Sequence, residues 1–149
     1  MKCLFALLVL FFSSTAFTNW QHNLNDAFAQ AQKEHKYILL NFSGSDWCGP
    51  CIKLHRDFFD KTEFIKYASA ELILVNADFP RQKKNNLSST QQAINNSIAD
   101  KYNTQGSFPL TLLLNENGKV IKSWEGYPKA TVSEFIDNLI ATIDTDKHK

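Results

Sequence analysis

Two short apolar runs place the strongest constraint on how this chain of 149 residues can fold. They read YILLNFS, at residues 37–43, and LILVNA, at residues 72–77. A nearly continuous apolar run of this length is typical of a strand that is covered on both faces. Segments with helical spacing lie before, between and after the two runs. This order predicts a sheet with helices packed on both sides.

Capping residues and apolar spacing predict where those helices lie. We expect them at residues 23–35, from Pro50 onward, at 63–70 with Thr62 as the cap, at 88–102 and at 131–142. A third apolar run, LTLLL at residues 110–114, is followed by NENG and KVIKSWEG, which predicts a hairpin that turns at Asn117 and Gly118. The predicted class is therefore α/β, with a central mixed β-sheet flanked by helices on both faces.

The first residues have the pattern of a secretory signal. Lys2 precedes an apolar run at residues 3–12, and small residues follow at 13–16. The run is too short to span a bilayer as a mature helix. We therefore expect a signal peptide at residues 1–18, a mature domain at 19–149 and no membrane anchor after cleavage.

Export would also decide which cysteines the mature protein keeps. Cys3 would leave with the signal peptide, so that Cys48 and Cys51 remain in an oxidising or redox-managed compartment. The formal net charge is +1, which argues against a nucleic-acid partner.

Cys48 and Cys51 are predicted to lie where the first buried strand turns into a helix. The helix N-terminus offers unpaired N–H groups and a positive dipole end, and both favour the thiolate form of the first cysteine. Cysteine pairs with this spacing can have a pKa of about 7 or well below it. A stapling disulfide would gain little from so short a loop. A metal site with His55 would have three ligands, whereas a closed zinc site takes four. A reactive dithiol is the favoured interpretation.

The residues around the pair resemble a known family. Residues 47–51 read WCGPC, which matches the active-site motif of thioredoxin letter for letter. Further along, VNADF and KYNTQGSFPLTLLLNENGKV resemble the strand that ends in Asp and the proline-led strand and glycine hairpin of that family. The resemblance covers residues 27–139 and implies a thioredoxin-like fold. The FSGSDWC stretch is similar to that of exported thioredoxin-like proteins of bacterial periplasms, which are disulfide oxidoreductases or isomerases.

The resemblance assigns roles to individual residues. Cys48 is identified as the nucleophile and Cys51 as the resolving cysteine, the two forming the redox-active disulfide. The implied substrate groove consists of Trp47, Gly49, Pro50, Phe108 and Pro109. Pro109 resembles the family's cis-proline, and a cis bond before proline costs little; a trans proline that opens the strand is the alternative.

The sequence also departs from the family pattern. Where thioredoxins have a buried aspartate and a lysine, this chain has Asn41 or Phe42, and Leu74. Proton transfer at Cys51 would then use water, or Asp46 if that side chain bends inward; we expect Asp46 to be a solvated turn residue. Thr111 is one position out of register for a substrate contact.

The sequence also predicts that all four histidines are solvent-facing. His55 is placed as a solvated helix residue, and His22, His35 and His148 as surface residues.

The sequence thus predicts an exported thiol–disulfide oxidoreductase, periplasmic rather than secreted. We expect a reductase, or an isomerase supplied with electrons, rather than an oxidase. The expected partners are client proteins with disulfides or thiols and a membrane or soluble electron donor, with no cofactor and no metal, and the protein is expected to be a monomer. The alternatives are a copper carrier on Cys48 and Cys51, or a docking module that uses Arg81, Lys83 and Lys84.

Overall fold

The structure is a computed structural model that describes residues 19–148. Strands and helices alternate through most of this range. In chain order the elements are β1 (Trp20–Gln21), α1 (Leu24–Glu34), β2 (Tyr37–Ser43), α2 (Gly49–Leu54), a π-helical turn (His55–Phe59), α3 (Thr62–Glu71), β3 (Leu72–Asp78), a 3₁₀ turn (Lys83–Asn85), α4 (Ser89–Tyr102), β4 (Leu110–Leu114), β5 (Val120–Glu125) and α5 (Val132–Lys147).

The five strands form one mixed sheet in the order β1-β3-β2-β4-β5. The β1–β3 and β3–β2 pairs are parallel, whereas β2–β4 and β4–β5 are antiparallel. The central strand β2 pairs with β3 from Tyr37↔Leu72 to Ser43↔Asp78. Its carboxyl end therefore lies next to the carboxyl end of β3. Ligand-binding sites of α/β proteins commonly lie beyond the carboxyl ends of such strands.

Helices cover both faces of the sheet, as predicted. On one face α1 and α4 pack on a mainly aliphatic core that includes Ile38, Leu40 and Val75. On the other face α2, the π turn, α3 and α5 pack on a core rich in aromatic rings, among them Phe58, Phe59, Phe64 and Phe135. The alternation of side chains along β2 divides its residues between the two cores.

The π turn lets two consecutive phenylalanines enter the same core. Its wide hydrogen bond runs from the Asp60 N–H to the His55 carbonyl, at 2.8 Å. Phe58 and Phe59 are both buried. Such turns hold one more residue than an α-helical turn and recur at functional sites.

The predicted strands are confirmed, and several helix boundaries are corrected. α2 starts at Gly49 rather than Pro50. The cap of α3 is Lys61 rather than Thr62, and it makes no side-chain hydrogen bond to the helix. α5 continues to Lys147 rather than ending at Thr142, because Leu139 and Ile143 extend its buried side. The short strand β1 was not predicted.

The predicted signal peptide lies outside the described residues. Among residues 19–148, no helix has the length and apolar character that crossing a bilayer requires.

Candidate active site

Cys48 and Cys51 form a disulfide at the junction between β2 and α2. Cys48 is the N-cap of α2, and its Sγ accepts a hydrogen bond from the Cys51 backbone N–H at 3.3 Å. Cys48 has 5% of its surface exposed, whereas Cys51 has none. A client sulfur can therefore approach the Cys48 side of the pair and not the Cys51 side.

Trp47 is held on several sides next to the disulfide. Its Nε1–H donates to the Phe79 carbonyl at 2.7 Å, and its ring meets the Phe108 ring edge-on with centroids 5.4 Å apart. The Arg81 guanidinium lies 3.6 Å over the indole centroid. The ring also passes so close to Gly44 that a Cβ there would lie 2.3 Å from Cε2. The indole is consequently fixed beside the reactive pair.

The loop before β4 lies beside the same tryptophan. The Phe108–Pro109 peptide bond is cis, as the resemblance implied, so the trans alternative is wrong. Phe108 contacts both Trp47 and Phe79, the latter with ring centroids 5.6 Å apart. The structure thus brings Trp47 and the cis-proline loop together, while Gly49 and Pro50 are exposed at the start of α2.

Two aspartates hold the turn that leads into the motif. The Asp78 carboxylate accepts hydrogen bonds from the backbone N–H and the hydroxyl of Ser45. The Asp46 carboxylate accepts the backbone N–H groups of Arg81 and Gln82, each at 2.9 Å. The hydrogen bond from Arg81 is the main reason why the pKa of Asp46 is lowered. Asp46 is thus a turn residue on the solvent side, as expected, and its carboxylate is in addition bonded to the loop at residues 81–85.

A polar row, buried at Asn41 and Thr111 and half-buried at Asn76, crosses three strands. Asn41 pairs in register with Asn76 and with Thr111, and its amide donates to Asn76 Oδ1 at 3.0 Å. The Thr111 hydroxyl donates to Asn41 Oδ1 at 3.1 Å. Phe42 packs in the core on the other face of the sheet. Of the two candidates for the position of the buried aspartate of thioredoxins, Asn41 is therefore the one on the same face as His55. Thr111 is buried and bonded within the core.

His55 completes this row, against expectation. Its Nε2 lies 3.3 Å from the Asn41 amide nitrogen, and its ring contacts Trp20 and Phe59 with centroids 5.4 and 5.1 Å away. Burial lowers the pKa of His55. The predicted solvated helix residue is thus a half-buried imidazole, packed against two aromatic rings and beside the Asn41 amide. His22, His35 and His148 are exposed, as expected.

The polar row had a signal in the sequence that the prediction did not use. Asn41 and Asn76 are both the fifth residue of their apolar runs. Two parallel strands that start in register bring such positions side by side. Within residues 19–148, no three His, Cys, Asp or Glu side chains gather into a group that could hold a metal ion.

Comparison with known proteins agrees with this geometry. Residues 24–140 match the thioredoxin-like domain family. The chain is 34% identical over 94 residues to the disulfide bond reductase DsbH of Chlamydia pneumoniae, an alignment that takes in 63% of this chain and 55% of that protein. It is 24% identical over 127 residues to the thioredoxin-related protein DsbJ of the same organism, which covers 85% of this chain and 36% of DsbJ.

Solved structures give the same result for the fold. A DsbH oxidoreductase superposes with a TM-score of 0.78 at 26% identity, covering 87% of this chain and 86% of that chain. A disulphide isomerase from Xylella fastidiosa Temecula1 superposes with a TM-score of 0.57 at 18% identity, covering 78% and 88% of the two chains. At 18% identity this second likeness concerns the fold alone.

The matched segment spans about half, or less, of the length of these curated relatives. The family match nonetheless includes the disulfide, the cis-proline loop and all elements from α1 to the greater part of α5. The chain therefore belongs to the thioredoxin-like domain family.

Proposed function

We propose that the protein is an exported thiol–disulfide oxidoreductase that reduces or isomerises disulfides in client proteins. The observation that carries this proposal is the Cys48–Cys51 disulfide at the start of α2. Cys48 is the more exposed cysteine of the pair, and it follows Trp47, whose ring contacts Phe108 of the cis-proline loop. At this position the reactive cysteine adjoins the surface formed by Trp47 and the cis-proline loop, on which a client segment can lie. The reductase name of one relative supports the same direction.

The reaction proceeds in two exchange steps. The Cys48 thiolate attacks one sulfur of a client disulfide, so that a mixed disulfide forms and the other client sulfur leaves as a thiolate. The Cys51 thiol loses its proton, and its sulfur attacks Cys48 Sγ. The client is released with two thiols, and the Cys48–Cys51 disulfide forms. Two electrons have moved from protein to client.

The oxidised protein must then be reduced again by a thiol-bearing donor, either soluble or in the membrane. Gly49 and Pro50 contribute no side-chain donor between the two sulfurs, and Pro50 has no backbone N–H. Among the described residues, the hydrogen bond that Cys48 Sγ accepts comes from the Cys51 backbone N–H. This modest stabilisation of the thiolate favours a reducing pair over an oxidising one.

Single cysteine variants test the proposed roles. Cys48→Ser should abolish reduction of insulin disulfides, because the attacking sulfur is gone. Cys51→Ser should accumulate mixed disulfides with clients, since the resolving sulfur is missing. These adducts are measured by non-reducing electrophoresis and mass spectrometry, and dithiothreitol should release them.

Cys48→Ser under the same trapping conditions is the matched control and should form no adduct. In the reduced wild type, alkylation should be faster at Cys48 than at fully buried Cys51. Equal alkylation rates, or adducts on Cys51, would contradict the assignment.

We further propose that residues 1–18 are removed on export and that the protein works in a bacterial periplasm. The basic start, short apolar run and small residues support this proposal. Intact mass of exported material should correspond to a chain that begins between residues 17 and 20. A mass that still includes residues 1–16 would refute it.

A further inference from the structure

The loop at residues 81–85 carries three basic side chains and is bonded to the turn that leads to Cys48. Arg81, Lys83 and Lys84 are all exposed. Among residues 19–148, the salt bridges at 4.0 Å or less involve His35, Lys36 and Arg56. The positive charges of this basic loop are therefore not neutralised by a direct ion pair within the described fold.

The basic loop is fixed to the turn before Cys48. Its backbone N–H groups at Arg81 and Gln82 bind the Asp46 carboxylate, and the Asn85 amide adds a third hydrogen bond at 2.9 Å. The Gln82 amide binds the Asp46 carbonyl at 3.1 Å. The loop also contains a 3₁₀ turn, closed by the Asn86 N–H on the Lys83 carbonyl.

Arg81 brings the loop onto the rim of the active site. Its guanidinium lies 3.6 Å over the ring of Trp47, the residue directly before Cys48. A client disulfide that reaches Cys48 must bring its flanking residues over this rim. Arg81 stands at this rim, and Lys83 and Lys84 follow in the same loop. The two carboxylates of the adjoining turn, Asp46 and Asp78, already accept hydrogen bonds from the protein itself.

We infer that the basic loop is a client-binding element that selects acidic peptide segments beside the disulfide to be reduced. Carboxylates next to the client cysteine would be attracted by Lys83 and Lys84, whereas basic flanks would be repelled. The inference rests on the proposed function, since it concerns which clients that reaction takes. Fixing the loop through Asp46 keeps the charges at the rim, so less order has to be gained on binding.

Two disulfide-linked peptides of equal length test the inference, one with Asp and Glu beside its cysteines and the other with Lys. The reduced protein is mixed with each peptide, and the single-turnover rate of reduction is measured. The wild type should prefer the acidic peptide, and 1 M salt should remove most of the preference, because the screening length is then about 3 Å. Lys83→Gln with Lys84→Gln should lower the acidic-to-basic ratio by about twofold to fivefold per lysine.

Lys33→Gln with Lys119→Gln is the matched control. These exposed lysines lie at the end of α1 and in the β4–β5 turn, at the opposite end of β2 from Cys48. The two substitutions remove the same total charge as the loop variant and should leave the acidic-to-basic rate ratio unchanged. An equal fall in both double variants would mean that net charge alone sets the preference, and the inference would fail.

Asp46→Asn separates an anchored loop from a merely charged one. The variant adds positive net charge but weakens the anchor, so the inference expects the acidic-to-basic ratio to fall. A ratio that rises would overturn it. If the wild type reduces neither peptide, the proposed function fails; if it reduces both equally fast, only the inference about the basic loop fails.

Discussion

Gly44 is the residue at which the active-site turn leaves least room. A Cβ at this position would lie 2.3 Å from Trp47 Cε2, and the indole is held by the Phe79 carbonyl and by Phe108. Gly44→Ala should therefore displace Trp47 and destabilise the fold by about 1–3 kcal/mol. Urea unfolding and tryptophan fluorescence would measure the two effects.

Gly49→Ala is the matched control for this prediction. Apart from its chain neighbours, no atom lies within 4 Å of a Cβ at Gly49, which is exposed at the start of α2. The unfolding free energy of this variant should fall by less than that of Gly44→Ala, because the only new contact is with the adjoining Pro50. If both variants lose the same stability, the close packing of Gly44 on Trp47 is not the cause.

His55 should make the stability depend on pH. Burial lowers its folded-state pKa from the ordinary value of 6.5, so the unfolded chain binds the proton more readily than the folded one. The stabilising contribution is present above about pH 6.5 and is lost as the pH falls toward and below the lowered folded-state pKa. Urea unfolding of the oxidised protein between pH 5 and 8 would measure this loss without any cysteine titration.

His55→Gln should remove this part of the pH dependence, although the variant is less stable at neutral pH. His148→Gln, at an exposed position, is the control and should keep the wild-type profile. A His55→Gln profile with the wild-type slope would show that another group is responsible.

The polar row joins three strands at the level of whole elements. Asn41 lies on the central strand β2, with Asn76 beside it on β3 and Thr111 on β4. Within the described residues, every buried side-chain nitrogen and oxygen has a hydrogen-bond partner, so the row is fully satisfied. Asn41→Ala would leave partners on both neighbouring strands unpaired and should cost about 2–4 kcal/mol.

A double-mutant cycle tests whether the row acts as one unit. Thr111→Val removes the hydroxyl that binds Asn41 Oδ1 while keeping the size of the side chain. The combined loss for Asn41→Ala and Thr111→Val should be smaller than the sum of the single losses by about 1 kcal/mol, because both variants remove the same hydrogen bond. Additive losses would contradict the coupling.

β2, β3 and β4 were predictable because each is a short apolar run, and β5 because a turn motif joins it to β4. The two-residue strand β1 has no such pattern. The disulfide pair and its neighbour Trp47 were predictable because they form one contiguous motif. The π turn was not, since the hydrogen bond that widens it depends on the fit of Phe58 and Phe59 to the core. For the same reason His55 was misplaced: its sequence position suggests an exposed helix face, and tertiary packing turns it inward.

Contacts between distant segments were the least predictable part of the site. Asp46 and the loop at residues 81–85 lie more than thirty positions apart, and no local pattern indicates that they meet. The same is true of Arg81 and Trp47. Each of these residues has an ordinary local explanation, as a turn residue or a solvated cation, that competes with the long-range one.

In the molecule as a whole, the reactive pair lies at the carboxyl end of the central strand β2. The parallel strands β2 and β3 both end there, and the cis-proline loop before β4 meets the same edge through Phe108. The aromatic core beneath α2 and the π turn supports the helix that carries Cys51. We therefore expect the redox reaction to change the two sulfurs and little of the backbone around them.

The direction of electron flow depends on how strongly the protein stabilises the reduced pair. The Cys51 N–H and the start of α2 favour the Cys48 thiolate, whereas Pro50 removes one backbone donor. Residues 46–52 place no basic side chain before Lys53, and the Arg81 guanidinium is stacked on the Trp47 ring. We expect a pair more reducing than glutathione, as measured by equilibrium with a glutathione redox buffer. A pair more oxidising than glutathione would make the protein an oxidase.

Pro50→His tests the cause of that potential. An imidazole in the first turn of α2 adds a donor and, when protonated, a positive charge near Cys48, so the reduced form should be stabilised and the pair should become more oxidising. The shift should be about 30 mV for each tenfold stabilisation of the reduced form. Pro50→Ala, which restores only the backbone N–H, should give a smaller shift in the same direction. If Pro50→His and Pro50→Ala raise the potential equally, the missing N–H of Pro50 keeps the pair reducing, and side-chain charge has no part in it.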